Sequence, residues 1–256
     1  MTMDTGVVLD LDRFYSTEPV QAWKQIIGED LHYHFGYFRG TETLETGLKQ
    51  TVRNYYPHIP SGSNVLDVGC GWGGPAQLLI AERECTVTGI TCSTAQMNYC
   101  QSLGLHVWQQ NLDQDSGKIP GDYDVIVSLE MISHIQDKLS LLHRLRSCGA
   151  RLILSESCAA DGYSGDRLTF GNSIVLCTVS ELVRNLESAG WTIQSMQNRR
   201  VYSLRTILLW QQNFERIYGD SEPPGQLGVL RGLVDTALRS PRGWCQSFPL
   251  IDIVAN

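Results

Sequence analysis

Long apolar runs and an excess of basic residues are both missing from this chain of 256 residues. No apolar stretch approaches the roughly 18 residues of a membrane span, so we expect no transmembrane helix. Lysine and arginine number 20 against 27 acidic residues, and the net charge of −7 argues against nucleic acid as a main partner. Arg199, Arg200 and Arg205 form a small basic cluster that we predict to be solvated. Residues 1–9 lack the features of a signal peptide, and we expect a cytoplasmic protein.

Paired cysteines are also missing, although the chain contains eight cysteines. None of them form a C-x-x-C pair, and most fall within predicted strands or helices. We therefore expect reduced, mostly buried thiols and no metal site. Repeats and low-complexity segments are absent as well. A chain of this length can bury a core that needs no disulfides.

The most informative stretch is Val65-Leu66-Asp67-Val68, which leads into Gly69-Cys70-Gly71-Trp72-Gly73-Gly74. An apolar strand, a glycine-rich turn and a helix beginning near Pro75 together predict a nucleotide-binding corner. Glycines permit positive φ and let a ligand approach the backbone without meeting a Cβ atom. The unpaired N–H groups of the helix start can bind an electronegative part of that ligand.

Two positions distinguish between the ligands that such a corner can bind. Gly69, Gly71 and Gly74 satisfy the dinucleotide pattern G-x-G-x-x-G, which keeps an NAD(P)-dependent oxidoreductase as an alternative. However, Asp67 would repel a pyrophosphate, and the second strand ends at Thr91 instead of the acid that an NAD ribose requires. S-adenosylmethionine (SAM) has no phosphate and carries sulfonium and ammonium charges. We therefore predict SAM as the cofactor.

The order of predicted elements divides the chain into two parts. Residues 1–60 are predicted to form a helical cap that closes over SAM, with helices over 17–28 and 41–56. From residue 61, strands and helices alternate, which predicts an α/β, Rossmann-like, doubly wound fold. Its mostly parallel, seven-stranded sheet would have helices on both faces. An insert over 158–177, after the fifth strand, and a segment over 200–225 are predicted to cover the substrate.

Four segments of the sequence carry a resemblance to a known group of proteins. They are the glycine motif over 66–74, the second motif over 87–96, the segment after the fourth strand over 128–134, and a Tyr-x-x-x-Thr-x-x-x-Trp segment over 202–210. On these segments, the chain resembles the class I SAM-dependent methyltransferases. More narrowly, it resembles the cyclopropane-fatty-acid-synthase-like group, which includes plant alkaloid N-methyltransferases.

The resemblance implies a set of cofactor-binding residues. The turn from Asp67 to Gly73 would hold the methionine half of SAM, and Thr91 and Gln96 would face the ribose. The implied residues are Tyr33, Asp67, Gly69, Cys70, Gly71, Gly73, Thr91, Gln96, Asn111 and Leu112, of which the last two would lie beside the adenine. Gln96 also completes a predicted capping box with Ser93, and Tyr33 also belongs to an aromatic patch over 32–38 that could pack between helices.

Two departures from the group affect the expected reaction. Cyclopropane synthases have a bicarbonate-binding cysteine in the segment that corresponds to 33–38, and this chain has none there, which argues against ring formation. Alkaloid N-methyltransferases have a Glu-His pair, whereas this chain has Ser133 before His134. His134 would then act alone or with Glu130 or Tyr202.

These residues predict the chemistry of the site. His134 is predicted to accept the proton of the methyl acceptor, because a histidine titrates near neutral pH. Tyr202 and Glu130 are further catalytic candidates, and His34 is a second candidate base. Alternatively, His134 packs at the start of the next helix and bonds its backbone, and Tyr202 is a half-buried aromatic residue of the lid. Glu130 could instead contact solvent or the edge of the SAM pocket.

The predicted function is methyl transfer from SAM to N or O of a small acceptor, plausibly in specialised metabolism. Tyr37, Phe38, Phe170 and Trp210 predict an apolar or aromatic acceptor pocket. The alternatives are a C-methyltransferase and a SAM-binding cyclase or scaffold of the same fold. The sequence leaves the oligomeric state open, with a homodimer as one possibility.

Overall fold

The computed structural model describes residues 11–165, 168–169 and 174–256. The strands of this part are β1 (Asn64–Val68), β2 (Thr86–Thr91), β3 (His106–Gln109), β4 (Tyr123–Leu129), β5 (Gly149–Ser157), β6 (Leu168–Thr169), β7 (Ile174–Val175), β8 (Ile193–Asn198) and β9 (Leu250–Ala255). The helices are α1 (Leu11–Ser16), α2 (Val20–Ile27), α3 (Leu44–Arg53), α4 (Gly74–Arg83), α5 (Thr94–Ser102), α6 (Lys138–Arg146), α7 (Val179–Ser188), α8 (Arg200–Tyr218), α9 (Gly225–Arg239) and α10 (Pro241–Ser247).

A seven-stranded sheet with the order β3-β2-β1-β4-β5-β9-β8 forms the centre of the fold. Strands β1 to β5 are parallel, and β9 pairs antiparallel with both β5 and β8. This arrangement confirms the predicted mostly parallel, Rossmann-like sheet. The order reverses at β1, so a crevice opens at the carboxyl ends of β1 and β4, where α/β sheets bind ligands.

Strand β1 shows why the sequence predicts the sheet so well. Val65, Leu66 and Val68 are fully buried, because helices cover both faces of the sheet.

Thr178 begins α7 with a complete capping box, in which its hydroxyl accepts from Glu181 N and the Glu181 carboxylate accepts from Thr178 N.

The N-terminal helices are shorter than predicted, because α2 begins after Pro19 and α3 begins after the N-cap Thr43. Trp23 and Ile27 are fully buried in a cluster with Trp210 and Phe214 of α8. The N-terminal segment therefore packs as a layer against the C-terminal helices. The division at residue 60 stays a prediction.

The C-terminal part contains two helices that the sequence analysis missed. Helix α8 lies within the predicted segment over 200–225, and β9 begins at Leu250, after Phe248 has capped the C-terminus of α10. Between them lie α9 and α10. Leu227, Leu230, Val234 and Ala237 are buried on one face of α9, with the i, i+3, i+7 spacing that could have predicted this helix.

Part of the predicted insert over 158–177 lies outside the described residues. Phe170 and residues 166–167 and 171–173 of the predicted insert lie outside them.

All eight cysteines are free, and six are buried. In the described part of the chain, no helix combines the length and apolar character that a bilayer span requires.

Candidate active site

A cavity lies at the carboxyl ends of β1, β4 and β5. The N-terminal segment, the sheet region and the C-terminal helices each contribute to its wall. Its sheet side is formed by the glycine turn and the ends of the strands, and its cover by α1, the segment after α2, and helices α8 to α10. The residues that line it include Tyr15, Tyr33, His34, Phe35, Asp67, Gly69, Cys70, Gly71, Trp72, Thr91, Gln96, Glu130, Ser133, His134, Glu156, Ser157, Leu176, Trp210, Gln226, Leu230, Trp244 and Phe248.

The glycine turn has the backbone geometry that a closely approaching ligand needs. Gly69, Gly71 and Gly73 have φ of 75°, 54° and 81°, a region that disfavours other residues. A Cβ atom on Gly71 would project toward the cavity, with only the Gln96 amide nitrogen at 4.0 Å. Gly73 differs, because its Cβ would meet Leu105 and Cys100 behind the turn. Gly71 therefore keeps the cavity open, whereas Gly73 permits packing.

Asp67 lies at the end of β1, almost completely buried in the cavity wall. Its Oδ2 has no hydrogen-bond partner among the described residues. Burial alone raises the pKa of this carboxyl to about 7. A cationic ligand would supply the missing partner and favour the ionised form.

Thr91 and Gln96 form a buried pair in the same part of the wall. The Thr91 hydroxyl donates to Gln96 Oε1 over 2.7 Å, which leaves the Gln96 amide nitrogen directed near Gly71. The predicted capping box is therefore only half formed: Ser93 Oγ accepts from Gln96 N, but the Gln96 side chain does not return to Ser93 N. The backbone N–H of Ser93 donates instead to Thr91 Oγ1.

Three implied cofactor residues are not part of the cavity wall in the described structure. Gly73 lies behind the turn, as described above. The Asn111 side chain accepts from Asp113 N, and Leu112 is buried in the main core cluster beneath the sheet. Their assignment to cofactor binding stays a prediction of the resemblance.

Glu130 connects the N-terminal segment to the sheet. Its Oε1 accepts from Phe35 N over 2.7 Å and lies 3.7 Å from a guanidinium nitrogen of Arg199. Burial raises the pKa of Glu130, and the charge of Arg199 opposes that shift. Its φ of 58° is unusual for a residue with a side chain, and such strain is concentrated at functional sites.

Arg199 and Arg200 are almost fully buried, so the prediction of a solvated basic cluster is wrong for both. Arg199 donates to Asp252 over 2.8 Å and to the carbonyls of Phe35 and Gly36. Arg200 donates to the Phe248 carbonyl and Ser157 Oγ. Sequence reasoning missed these roles because the carboxylate of Asp252 arrives from β9, far along the chain.

His134 lies in a short 3-10 turn over Ile132–His134, after β4. The hydroxyl of Tyr15 lies 3.1 Å from His134 Nε2, with the two rings edge to face. Tyr15 was not predicted, because it reaches the site only through the packing of α1 on α5. Burial raises the pKa of Tyr15 well above its ordinary value, so it acts as a neutral phenol.

Two other catalytic candidates are placed less favourably. Tyr202 is 42% exposed and stacks on Tyr37 at 4.7 Å between centroids, outside the cavity wall. His34 lies in the wall, but its Nδ1 is 3.1 Å from the Phe35 carbonyl and its Nε2 is 3.2 Å from His32 Nδ1. Since a carbonyl can only accept, Nδ1 of His34 carries the proton and Nε2 accepts from His32. Burial lowers the pKa of His34 well below its ordinary value, so it is neutral.

A second buried carboxyl group, that of Glu156, was missed by the sequence analysis. It lies near the end of β5 and its Oε2 accepts from Ser133 N over 3.2 Å. Position alone could have indicated it, since β5 ends at the same edge as β1 and β4. Trp244, Gln226 and Leu230 of α9 and α10 were missed together with their helices.

The chain is similar to known proteins in both sequence and fold. The family model described as mycolic acid cyclopropane synthetase matches residues 20–143. A probable fatty acid methyltransferase from Pseudomonas putida is 26% identical over 222 residues, which cover 76% of this chain and 55% of that protein. The structure of the cyclopropane synthase MmaA2 from Mycobacterium tuberculosis has a TM-score of 0.82 at 16% identity and covers 99% of both chains. Coclaurine N-methyltransferase bound to N-methylheliamine and SAH has a TM-score of 0.77 at 16% identity and covers 94% of this chain and 81% of that one.

These comparisons confirm the resemblance to class I SAM-dependent methyltransferases of the cyclopropane-fatty-acid-synthase-like group. The chain spans about half the length of the curated relatives it matches. SAH is present in two of the similar structures, those of coclaurine N-methyltransferase and of the mycolic acid cyclopropane synthase CmaA1, which supports the prediction of SAM as the cofactor. The unpartnered oxygen of Asp67 and the open position at Gly71 fit a ligand that is cationic and approaches the backbone closely.

Proposed function

We propose that this protein is a SAM-dependent methyltransferase that transfers the methyl group to N or O of a small, largely apolar or aromatic acceptor. The observation that carries this proposal is the single cavity that joins Asp67 and the glycine turn to Glu130 and His134. Aromatic side chains from the cover, including Phe35, Trp210 and Trp244, provide an apolar wall for the acceptor.

Methyl transfer from SAM is an in-line displacement, in which the acceptor atom bonds to the methyl carbon as the S–C bond breaks. Holding the two reactants in line can supply on the order of 7 kcal/mol of the reduction in barrier. Deprotonating an amine with pKa near 10 at pH 7 costs about 4 kcal/mol. The residues of this chain therefore have two tasks: to align the acceptor and to receive a proton.

His134 is the proposed proton acceptor. It lies in the cavity wall after β4, and its Nε2 contacts the hydroxyl of Tyr15, which can relay a proton or orient the ring. Glu130 has a positioning role in this proposal, because its carboxylate holds the backbone N–H of Phe35 and thereby the cover of the cavity. Tyr202 has no assigned part, because its side chain lies outside the cavity wall.

Two measurements test the proposal. Calorimetric titration with SAM, S-adenosylhomocysteine (SAH) and NADH should give binding of the first two only. Transfer of a labelled methyl group to candidate amines and alcohols should follow, and His134→Ala should reduce turnover by about a hundredfold with SAH binding retained. The matched control is His143→Ala, an exposed histidine on α6. A protein that binds NADH and ignores SAM, or a fully active His134→Ala variant, would contradict the corresponding part.

A further inference from the structure

Besides Asp67, the described part of the cavity wall has a second buried carboxyl group with no ion-pair partner, that of Glu156. Its side chain is 1% exposed and lies in the wall, close to Ser133 and Ser157. Its oxygens accept from the backbone N–H groups of these two residues, at 3.2 and 3.1 Å. Among the described residues, no lysine or arginine nitrogen lies within ion-pair distance of it. A buried carboxylate without a counter-ion is costly, so this group requires either a proton or a cation.

The buried cations Lys138, Arg199 and Arg200 already have other partners. Lys138 is buried, but its ammonium group donates to the Ile135 carbonyl over 2.6 Å. Arg199 is paired with Asp252 and lies near Glu130. Arg200 lies over the rings of Phe35 and Trp244, at 4.6 and 5.7 Å from their centroids. The carboxyl group of Glu156 is therefore available to a ligand.

The wall around this carboxyl group suits a cation in two other ways. Phe35 and Trp244 already bind the guanidinium of Arg200, but Trp210 and Phe248 also line the cavity. Aromatic rings of this kind attract ammonium groups. Gln226, 2% exposed in the wall, has an Oε1 with no donor among the described residues. Both features favour an acceptor that brings N–H donors and positive charge.

We propose that Glu156 is the specificity-determining residue that binds a protonated amine on the methyl acceptor. This inference rests on the proposed function and makes it narrower: the acceptor is a cationic amine with an apolar body, and neutral alcohols and carboxylic acids are disfavoured. The ammonium group binds against the Glu156 carboxylate, and the apolar body lies among the aromatic residues of the cover. The nitrogen then gives one proton to His134, because only the neutral amine has the lone pair that attacks the methyl carbon.

The protonation state of Glu156 supplies a direct signature of this binding. Burial, reinforced by the charge of Glu130, raises the pKa of Glu156 to about 8, so the free protein carries a proton here at pH 7. Cys158, Cys177 and Lys138 also face this group. An ammonium ion stabilises the carboxylate, so its binding at pH 7 expels close to one proton to the solvent.

Calorimetry of the SAH complex at pH 7, in two buffers with different heats of ionisation, measures this proton. The probes are 2-phenylethylamine, 2-phenylethanol and phenylacetate, which share one apolar body and differ in charge. Wild-type protein should bind the amine at least about tenfold more tightly than the alcohol and release close to one proton. Glu156→Gln should lose both the preference and the proton, while Glu187→Gln, an exposed glutamate on α7, should behave like the wild type.

Each result decides the matter. Equal or tighter binding of the alcohol or the acid, absence of amine binding at millimolar concentration, or proton release that persists in Glu156→Gln would overturn the inference. A wild-type protein without the amine preference overturns the inference even if the Glu156→Gln protein folds poorly. Failure of the wild type to bind SAH would refute the proposed function itself. Retained SAH binding with indifference to amines would refute only the assignment of Glu156.

Discussion

The hydroxyl oxygen of Tyr15 lies 3.1 Å from Nε2 of His134, although 119 residues separate them in the sequence. Helix α1 reaches this position by packing on α5, where the Asp12 carboxylate accepts from Thr94 N and Thr94 Oγ1. The carboxylate therefore stabilises the N-terminus of α5 and places the following turn of α1 over the cavity. The proposed proton acceptor is thus oriented by a residue from the N-terminal segment, far from it in the sequence.

Replacing Tyr15 with phenylalanine should show whether its hydroxyl orients His134 without contributing to cofactor binding. The variant loses a hydrogen bond worth about 1 kcal/mol, so kcat should fall about fivefold to tenfold while the Kd for SAH changes little. Steady-state kinetics with labelled SAM, combined with calorimetry, measures both quantities. Tyr218→Phe, a change at the far end of α8, is the control and should leave kcat unaltered. An unchanged kcat in Tyr15→Phe would show that this contact has no part in turnover.

The buried ion pair of Arg199 and Asp252 is expected to be essential for the fold. Arg199→Met leaves two carboxylates, those of Asp252 and Glu130, without their cation, and this should lower the free energy of unfolding by about 3–5 kcal/mol. Denaturant unfolding measures the loss. The comparison is Arg53→Met, which removes the pair that Arg53 forms with Glu82 on the surface and should cost at most about 1 kcal/mol. Similar losses of unfolding free energy in both variants would contradict the difference expected between the buried ion pair and the surface ion pair.

The features that the sequence predicted share a local cause. Asp67 and Thr91 lie at the carboxyl ends of β1 and β2, and Glu130 and His134 follow β4. Parallel strands bring their carboxyl ends to one edge of the sheet, so strand order alone places these residues near one another. Asn111 shows the limit of this argument. It follows β3 at the outer edge of the sheet, and its side chain turns to Asp113 N instead of the cavity.

The features that the sequence did not predict depend on contacts between distant segments. Tyr15 arrives through the packing of α1, and Trp244 through α10, a helix that the sequence analysis missed. Arg199 was predicted to be solvated because its partner Asp252 lies 53 residues further along the chain. Periodicity describes which face of an element is apolar, but it does not say which polar side chain from another element will lie opposite a buried charge.

Asp67 should make both stability and SAM binding depend on pH. Its carboxyl group ionises near pH 3.8 in the unfolded chain and near pH 7 in the fold. The fold therefore loses stability as pH rises between these values. Asp67→Asn removes this loss, so its Tm should exceed that of the wild type at pH 8 and differ little at pH 4. The same variant should bind SAM at least about tenfold more weakly at pH 8, since it lacks the carboxylate.

Thermal melting at the two pH values, with and without SAM, measures both effects of the Asp67 change. Asp220→Asn, an exposed residue after α8, should reproduce the wild-type curves. If Asp67→Asn were no more stable than the wild type at pH 8 and still bound SAM equally well, the carboxyl group would be neither strained by burial nor part of the cofactor site.

Gly71 and Gly62 offer a matched pair for testing the position of the cofactor. Both have positive φ, 54° and 76°, so an alanine at either position should cost about 1–2 kcal/mol of backbone strain. Their surroundings differ, because a Cβ on Gly62 meets nothing within 4 Å in a surface turn, whereas one on Gly71 projects toward Gln96 at the cavity. Gly71→Ala should therefore weaken SAH binding by about tenfold or more, and Gly62→Ala should leave it unchanged at a similar Tm. Calorimetry on the two folded variants makes the comparison, and equal affinities would place the cofactor away from this turn.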